Sequence, residues 1–251
     1  MDTAKSTPSR WFLTPPSTEA DVRLFCFPYS GCGASMFRNW PTRIGPAEVV
    51  PLQLPGRENR TREPHFGTYE ELADQLVEGI AEHLDRPYAV FGHCGGALPA
   101  FESVVRIVER GLRPPERVFV SSQVAPQDGP YGRFLGLDEA GLRAELVALL
   151  AALGAARPPE EMLDLYLEVL VADVEANKKY RKDAAGSLPC AVTALGWDAD
   201  VEVPHALMGG WADWVARDAA RKEVLAGTHY TFLDAPADLV AALERDLKAM
   251  V

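Results

Sequence analysis

The chain has 251 residues, 47% apolar and 24% charged, and its 36 Asp and Glu against 25 Lys and Arg give a formal net charge of −11. That length suits one large α/β domain with a substantial core, and the acidic balance argues against nucleic acid or an anionic membrane surface as a partner. Cys26, Cys32, Cys94 and Cys190 fall without CxxC spacing, so neither a metal site nor a disulfide framework is indicated, and free thiols in a cytoplasmic protein are expected. The opening MDTAKSTPSR lacks an apolar leader, and no apolar run is long enough to span a bilayer, so neither export nor membrane attachment is expected.

After a polar start, RLFCFP (23–28) reads as a buried strand and runs into the glycine-rich loop YSGCGAS. EVVPLQLP (48–55) is a second strand, stopped by Pro55-Gly56. TYEELADQLVEGIAEHL (68–84) is the clearest helix, with Thr68 and Glu71 spaced as a capping box and Leu72, Leu76, Ile80 and Leu84 at helical intervals. YAVFGH (88–93) is the next strand, leading directly into the helix GGALPAFESVVRIVER (95–110), and RVFVSS (117–122) returns as a strand. Strands alternating with helices predict an α/β fold, a mostly parallel sheet with helices on both faces. From about 128 to 187 the alternation stops. Two helical stretches, 137–153 and 159–180, follow one another around Pro158-Pro159, as a helical lid inserted into a single domain of 1–251 would. CAVTALG (190–196) resumes the strands, and ADLVAALERDLKAM closes the chain as a helix.

Gly92-His93-Cys94-Gly95-Gly96 fits G-x-C-x-G at a strand-to-helix junction, the nucleophile-elbow pattern with cysteine in place of serine. Residues without a Cβ let the chain bend tightly there, and the following helix N-terminus favours a thiolate and an adjacent oxyanion. The competing reading of Cys94 is a small buried residue. A thiol nucleophile needs a base, and the base needs an orienting acid. TALGWDADVEV (193–203) places Asp198 and Asp200 beyond a strand end, and LAGTHYTFL (225–233) places His229 in a later loop. Each aspartate alone reads more readily as a turn or cap residue, but elbow, acid loop and histidine loop follow the chain order of a hydrolase triad. FPYSGCGAS adds a glycine turn able to aim a backbone N–H at an oxyanion, with the N–H of Gly95 as its partner. Cys32 in that loop reads as a filler.

LFCFPYSGCGAS, QLPGRENR, RPYAVFGHCGGALPAFE, PCAVTALGWDAD and GTHYTFL together resemble the successive motifs of type II thioesterases, the stand-alone α/β-hydrolases that accompany nonribosomal peptide and polyketide synthases. The resemblance runs from about Leu24 to Leu233. It implies an α/β-hydrolase fold with a helical lid and no bound cofactor or metal. The implied substrates are acyl groups held as thioesters on the 4'-phosphopantetheine arm of a carrier protein, which a monomeric enzyme meets transiently. The implied triad is Cys94, Asp200 and His229, with the backbone of Ser30 and Gly95 as oxyanion donors. The departures are equally specific. The family usually has Ser-Met at Cys94-Gly95 and His-Ala at Tyr29-Ser30, and Trp197 and Val201 replace its common Gly and Pro. Gly95 therefore predicts a wider space beside the nucleophile, and Tyr29 and Trp197 are the expected pocket residues.

With cysteine the acyl-enzyme is itself a thioester, so transfer from pantetheine is nearly isoenergetic and the acyl group stays activated. Editing hydrolysis, product release, and acyl transfer or cyclisation onto an amine or other acceptor all remain open. So do a small-ester or lactone hydrolase of the dienelactone hydrolase type, which shares G-x-C-x-G, and a non-catalytic binding module. Because carrier proteins are typically acidic, a local basic patch is expected, and Arg57, Arg60 and Arg62 in GRENRTRE are its candidates, with Arg38 and Arg43 near the oxyanion loop. Surface arginines with no partner protein are the plainer reading of each.

Overall fold

The structure, a computed structural model, describes residues 10–251. Among these, seven strands form one sheet: β1 (Val22–Phe27), β2 (Arg43–Ile44), β3 (Ala47–Pro51), β4 (Tyr88–His93), β5 (Arg117–Ser121), β6 (Ala191–Trp197) and β7 (Ala220–Leu225). Their order is β2-β3-β1-β4-β5-β6-β7, and every pairing is parallel except that of β2 with β3. The parallel α/β sheet expected from the alternation is present, with β2 as an added antiparallel edge. Central strands are apolar at nearly every position because both faces are covered. Period-2 alternation divides them: Leu24, Cys26, Ala89, Phe91 and Phe119 face one core, while Phe25, Phe27, Val90, Val118 and Val120 face the other. At the far edge β7, ARKEVL, is only partly buried, and its charges suit an edge open to water.

Helices α1 (Tyr69–Ile80) and α2 (Ala97–Glu109) pack on the Phe25 face, and α5 (Ala237–Lys248) covers the other through Leu239, Leu243 and Leu247. The capping box at α1 is formed: the Glu71 N–H donates to Thr68 Oγ1 at 3.2 Å, and the Thr68 N–H donates to Glu71 Oε2 at 3.0 Å. The strand expected over 48–55 ends at Pro51, because the Gln53 N–H turns away to donate to the Trp11 carbonyl at 2.8 Å.

Between β5 and β6 lie α3 (Glu139–Ala152) and α4 (Glu160–Lys179). They bury Leu142, Leu146 and Leu149 from α3 and Leu163, Leu167 and Leu170 from α4 against the core that also holds Tyr29 and Phe37. Within this apolar packing α4 carries a carboxylate, Asp173, 4% exposed. Both its oxygens are fully engaged. Oδ2 accepts from Arg57 Nη1 at 2.8 Å and the Gly31 N–H at 2.7 Å; Oδ1 accepts from Arg57 Nη2 at 2.9 Å and lies 2.7 Å from His65 Nε2. The Gly67 N–H donates to Nδ1 of His65, which leaves the ring proton on Nε2 to donate to Asp173. Burial alone would raise the pKa of Asp173, but the charge and hydrogen bonds of Arg57 and the hydrogen bond of His65 hold it well below the usual carboxylate range.

Asp173→Ala strands a buried guanidinium and is expected to destabilise the protein by about 3–5 kcal/mol in denaturant unfolding. Because the pKa of Asp173 is depressed, its stabilisation is present above the unfolded carboxylate value and is lost as acid takes the pH down through the folded one. The wild type is therefore expected to lose more stability on acidification than the variant.

Candidate active site

Each candidate residue follows the carboxyl end of a parallel strand, where open α/β sheets place their sites. Ser30 follows β1, Cys94 β4, Ser122 β5, Asp200 β6 and His229 β7. Cys94 has φ +48, a left-handed conformation rare for a side chain with a Cβ, and such strain costs roughly 1–3 kcal/mol. Its glycines make the turn possible. A Cβ on Gly92 would lie 2.6 Å from the Ala97 Cα, and one on Gly96 would lie 2.6 Å from the Pro28 carbonyl oxygen. The helix expected from residue 95 begins at Ala97, since Cys94–Gly96 form a tighter 3-10 turn.

Cys94 is half-buried and lines a small cavity. Burial pushes the thiols of Cys32 and Cys190 up to about 12, and that of Cys26 higher still. Cys26 and Cys32 are packed in the core, as the filler reading of Cys32 expects.

His229, 4% exposed, holds its Nδ1 2.9 Å from Asp200 Oδ2. Asp200 also accepts from Ser122 Oγ at 2.7 Å and from the backbone N–H groups of Glu202 at 2.8 Å and Val203 at 3.0 Å. Burial would raise its pKa, yet these donors hold it well below the usual carboxylate range. Asp198 instead accepts from the Gly227 N–H at 2.9 Å and pins the histidine loop to the end of β6. Nε2 of His229 is buried and makes no hydrogen bond of good geometry, with Glu202 Oε2 3.6 Å away. Burial would lower the imidazole's pKa, but the neighbouring Cys94 sulfur, the hydrogen bond with Asp200 and the charge of Glu202 raise it to about 10.

Ser30 lies directly beside Gly95: the Cβ of any larger residue at 95 would fall inside contact distance of Ser30 Oγ and 3.5 Å from the Ser30 nitrogen. This brings the two expected oxyanion donors together next to Cys94. It also corrects one expectation, because the space a side chain at 95 would vacate is filled by the Ser30 hydroxyl and is not open.

Other sequence readings change more. Tyr29 does line the cavity, its ring 6.0 Å from that of His229. Trp197 does not. It is fully buried at the end of β6, and its indole N–H donates to Ser121 Oγ at 3.2 Å. Arg57 and Arg60 are not surface groups either. Arg57, 4% exposed, is held by Asp173; Arg60, 5% exposed, pairs with Glu63 at 2.6 Å and stacks over Trp11. Of that trio only Arg62 is exposed. Arg38 and Arg43 are exposed but donate to the carbonyls of Leu153 and Pro46. Sequence reasoning missed Ser122 and Glu202. Ser122 has φ +44, and the signal available was its place at a strand end beside the sheet centre.

Two cavities flank the oxyanion loop. The one at Cys94 measures ≈ 20 Å³; a larger one, ≈ 630 Å³, lies between that loop and α3 and α4, with Met36, Leu146, Leu149 and Leu153 in its wall. Among the described residues no group of three or more His, Cys, Asp or Glu is placed to hold a metal ion, and no helix is long and apolar enough to cross a membrane.

The profile of the thioesterase domain family matches residues 22–247. The chain is 34% identical to linear gramicidin dehydrogenase LgrE of Brevibacillus parabrevis, over 99% of this chain and 97% of that protein. It is 33% identical to a probable cadicidin biosynthesis thioesterase of Streptomyces griseus, over 92% of this chain and 64% of that one. Among solved structures, RedJ, a thioesterase from the prodiginine biosynthetic pathway in Streptomyces coelicolor, matches with a TM-score of 0.76 at 32% identity, over 98% of this chain and 96% of that chain.

Gly95→Ala is expected to lower unfolding stability by about 1–3 kcal/mol through its clash with Ser30. Adding Ser30→Ala recovers most of the loss, a coupling that a double-mutant cycle reads directly. Imidazole NMR should show His229 titrating near 10 in the wild type and markedly lower in Cys94→Ala. The sign follows from the raised value: its stabilisation is complete below the ordinary 6.5 and is lost as pH rises through about 10.

Proposed function

We propose, from the premise that this chain belongs to the thioesterase family, that it is a type II thioesterase of a nonribosomal peptide or polyketide pathway and works through an acyl-Cys94 intermediate. Thioesterase domains of this family need no cofactor and act on phosphopantetheine-carried substrates. The observation that supports the cysteine reading is the place of Cys94 in a strained turn directly after β4, lining the cavity at the strand ends where His229 is held by Asp200.

The chemistry follows from that placement. The Cys94 thiolate adds to the thioester carbonyl, and the oxyanion that forms accepts from the backbone N–H groups of Ser30 and Gly95. Collapse expels the pantetheine sulfur, which takes the proton from Nε2 of His229 and leaves as a thiol. Neutral His229 then removes a proton from water as the water attacks acyl-Cys94. The carboxylic acid departs and the thiolate–imidazolium pair is restored. Asp200 keeps the other ring proton on Nδ1 throughout, and Ser122 and two backbone N–H groups keep Asp200 in place. The segment 128–187, with α3 and α4, acts as the lid, and the ≈ 630 Å³ apolar cavity beneath it supports that role. A carrier protein presents the arm from the surface, where Arg62 is the remaining basic candidate of its trio.

Intact-protein mass after mixing with an acyl-pantetheine thioester tests the proposal. An acyl adduct is expected on the wild type and not on Cys94→Ala, with turnover falling by about 10³-fold or more in the variant. Unchanged turnover without Cys94 would make the cysteine structural. The adduct's lifetime in water, with and without an added amine, separates hydrolysis from transfer.

A further inference from the structure

The small cavity beside Cys94 is lined in part by the polar side chains of Arg133, Asn177 and Glu202. Glu202, four residues beyond the loop residue Asp198 and 11% exposed, lines it. Its Oε1 accepts from Arg133 Nη2 at 3.0 Å, while Oε2 lies 3.6 Å from His229 Nε2 and has no hydrogen-bond donor among the described residues. Arg133 is shared, because its two terminal nitrogens also donate to Glu145 on α3 at 2.7 and 2.6 Å. Two carboxylates against one guanidinium leave one net negative charge at the cavity, beside an Asp200–His229–Cys94 set that is itself net anionic when the sulfur is a thiolate. Asn177 of α4 lines the same cavity. It is 6% exposed, and its amide oxygen is buried with no hydrogen-bond partner. A buried acceptor left unpaired calls for a donor.

We infer that the acyl group this site accepts carries a protonated amine next to its thioester carbonyl, an aminoacyl group, with the ammonium held between Glu202 and Asn177. The inference rests on the thioesterase reading above and names its substrate class. An ammonium has three donors and no acceptor, which complements a free carboxylate oxygen and an unpaired amide oxygen. The ≈ 20 Å³ cavity holds one water-sized group, the size of an ammonium. With the carbonyl oxygen on Ser30 and Gly95, the α-substituents of an acyl-Cys94 are the first atoms to enter that space. A methyl in the ammonium's place would cover the carboxylate and give it nothing in return.

Alanyl- and isobutyryl-pantetheine thioesters test this, since they differ only by an ammonium for a methyl at the α-carbon. The comparison is kcat/KM for each, after subtracting the uncatalysed rate, in the wild type, Glu202→Gln and Asn177→Leu. The wild type is expected to prefer the alanyl thioester, and Glu202→Gln to cut that preference by about 10- to 100-fold, the worth of a charged hydrogen bond. Asn177→Leu is expected to cut it less. Isobutyryl turnover in the same variants separates lost selectivity from lost folding. Equal wild-type rates on both thioesters would overturn the inference and leave the thioesterase reading standing. So would a Glu202→Gln variant that slows both substrates alike, which would make Glu202 a positioning residue for His229. Turnover of neither would overturn the inference together with the reading beneath it.

Discussion

The carboxylate of Asp173 fixes the relation between the sheet and the helices above it. It receives four hydrogen bonds, one from the loop at Gly31 and three from the loop at Arg57 and His65, and so ties both loops to α4, which carries it. A buried ion pair is not a strong source of stability, because desolvation offsets most of the attraction. What it supplies is geometry. Gly31 is the neighbour of Ser30, so the backbone beside the proposed oxyanion donor is held by a carboxylate 142 residues further along the chain. The same α4 passes Leu170 against Gly31 and Asn177 against the cavity at Cys94.

Around that frame the site concentrates two costs, backbone strain and buried charge. Cys94 and Ser122 both sit in left-handed turns at the ends of neighbouring strands, at φ +48 and +44. The first presents a sulfur at a helix N-terminus, and the second presents a hydroxyl to Asp200. The burial penalty on His229 is outweighed by its surroundings, with the carboxylate of Asp200 at Nδ1 and the Cys94 sulfur and Glu202 carboxylate nearby.

The parallel sheet, the strained turn at Cys94 and the loops that bring Asp200 to His229 were legible in the sequence because each leaves a local trace: alternating apolar runs, glycines around Cys94, and loops that follow strands in chain order. The contacts that set the site's details leave none. Arg57 and Arg60 read as surface groups because arginine usually is one, and the carboxylate that buries Arg57 lies 116 residues away. Trp197 looked like a pocket residue because it stands three places before Asp200, but as the last residue of β6 it turns into the core to reach Ser121. Glu202 stood in the acid loop unremarked, since nothing in DADVEV says which carboxylates turn inward.

The Ser30 hydroxyl that fills the space above Gly95 also constrains the order in which this site can change during descent. A chain drifting toward the Ser-Met form of the elbow meets a steric barrier if the residue at 95 grows first. The route is open if position 30 shrinks beforehand, a step that needs only the loss of a hydroxyl. The two positions therefore behave as a ratchet: once a large residue occupies 95, regaining a serine at 30 is blocked.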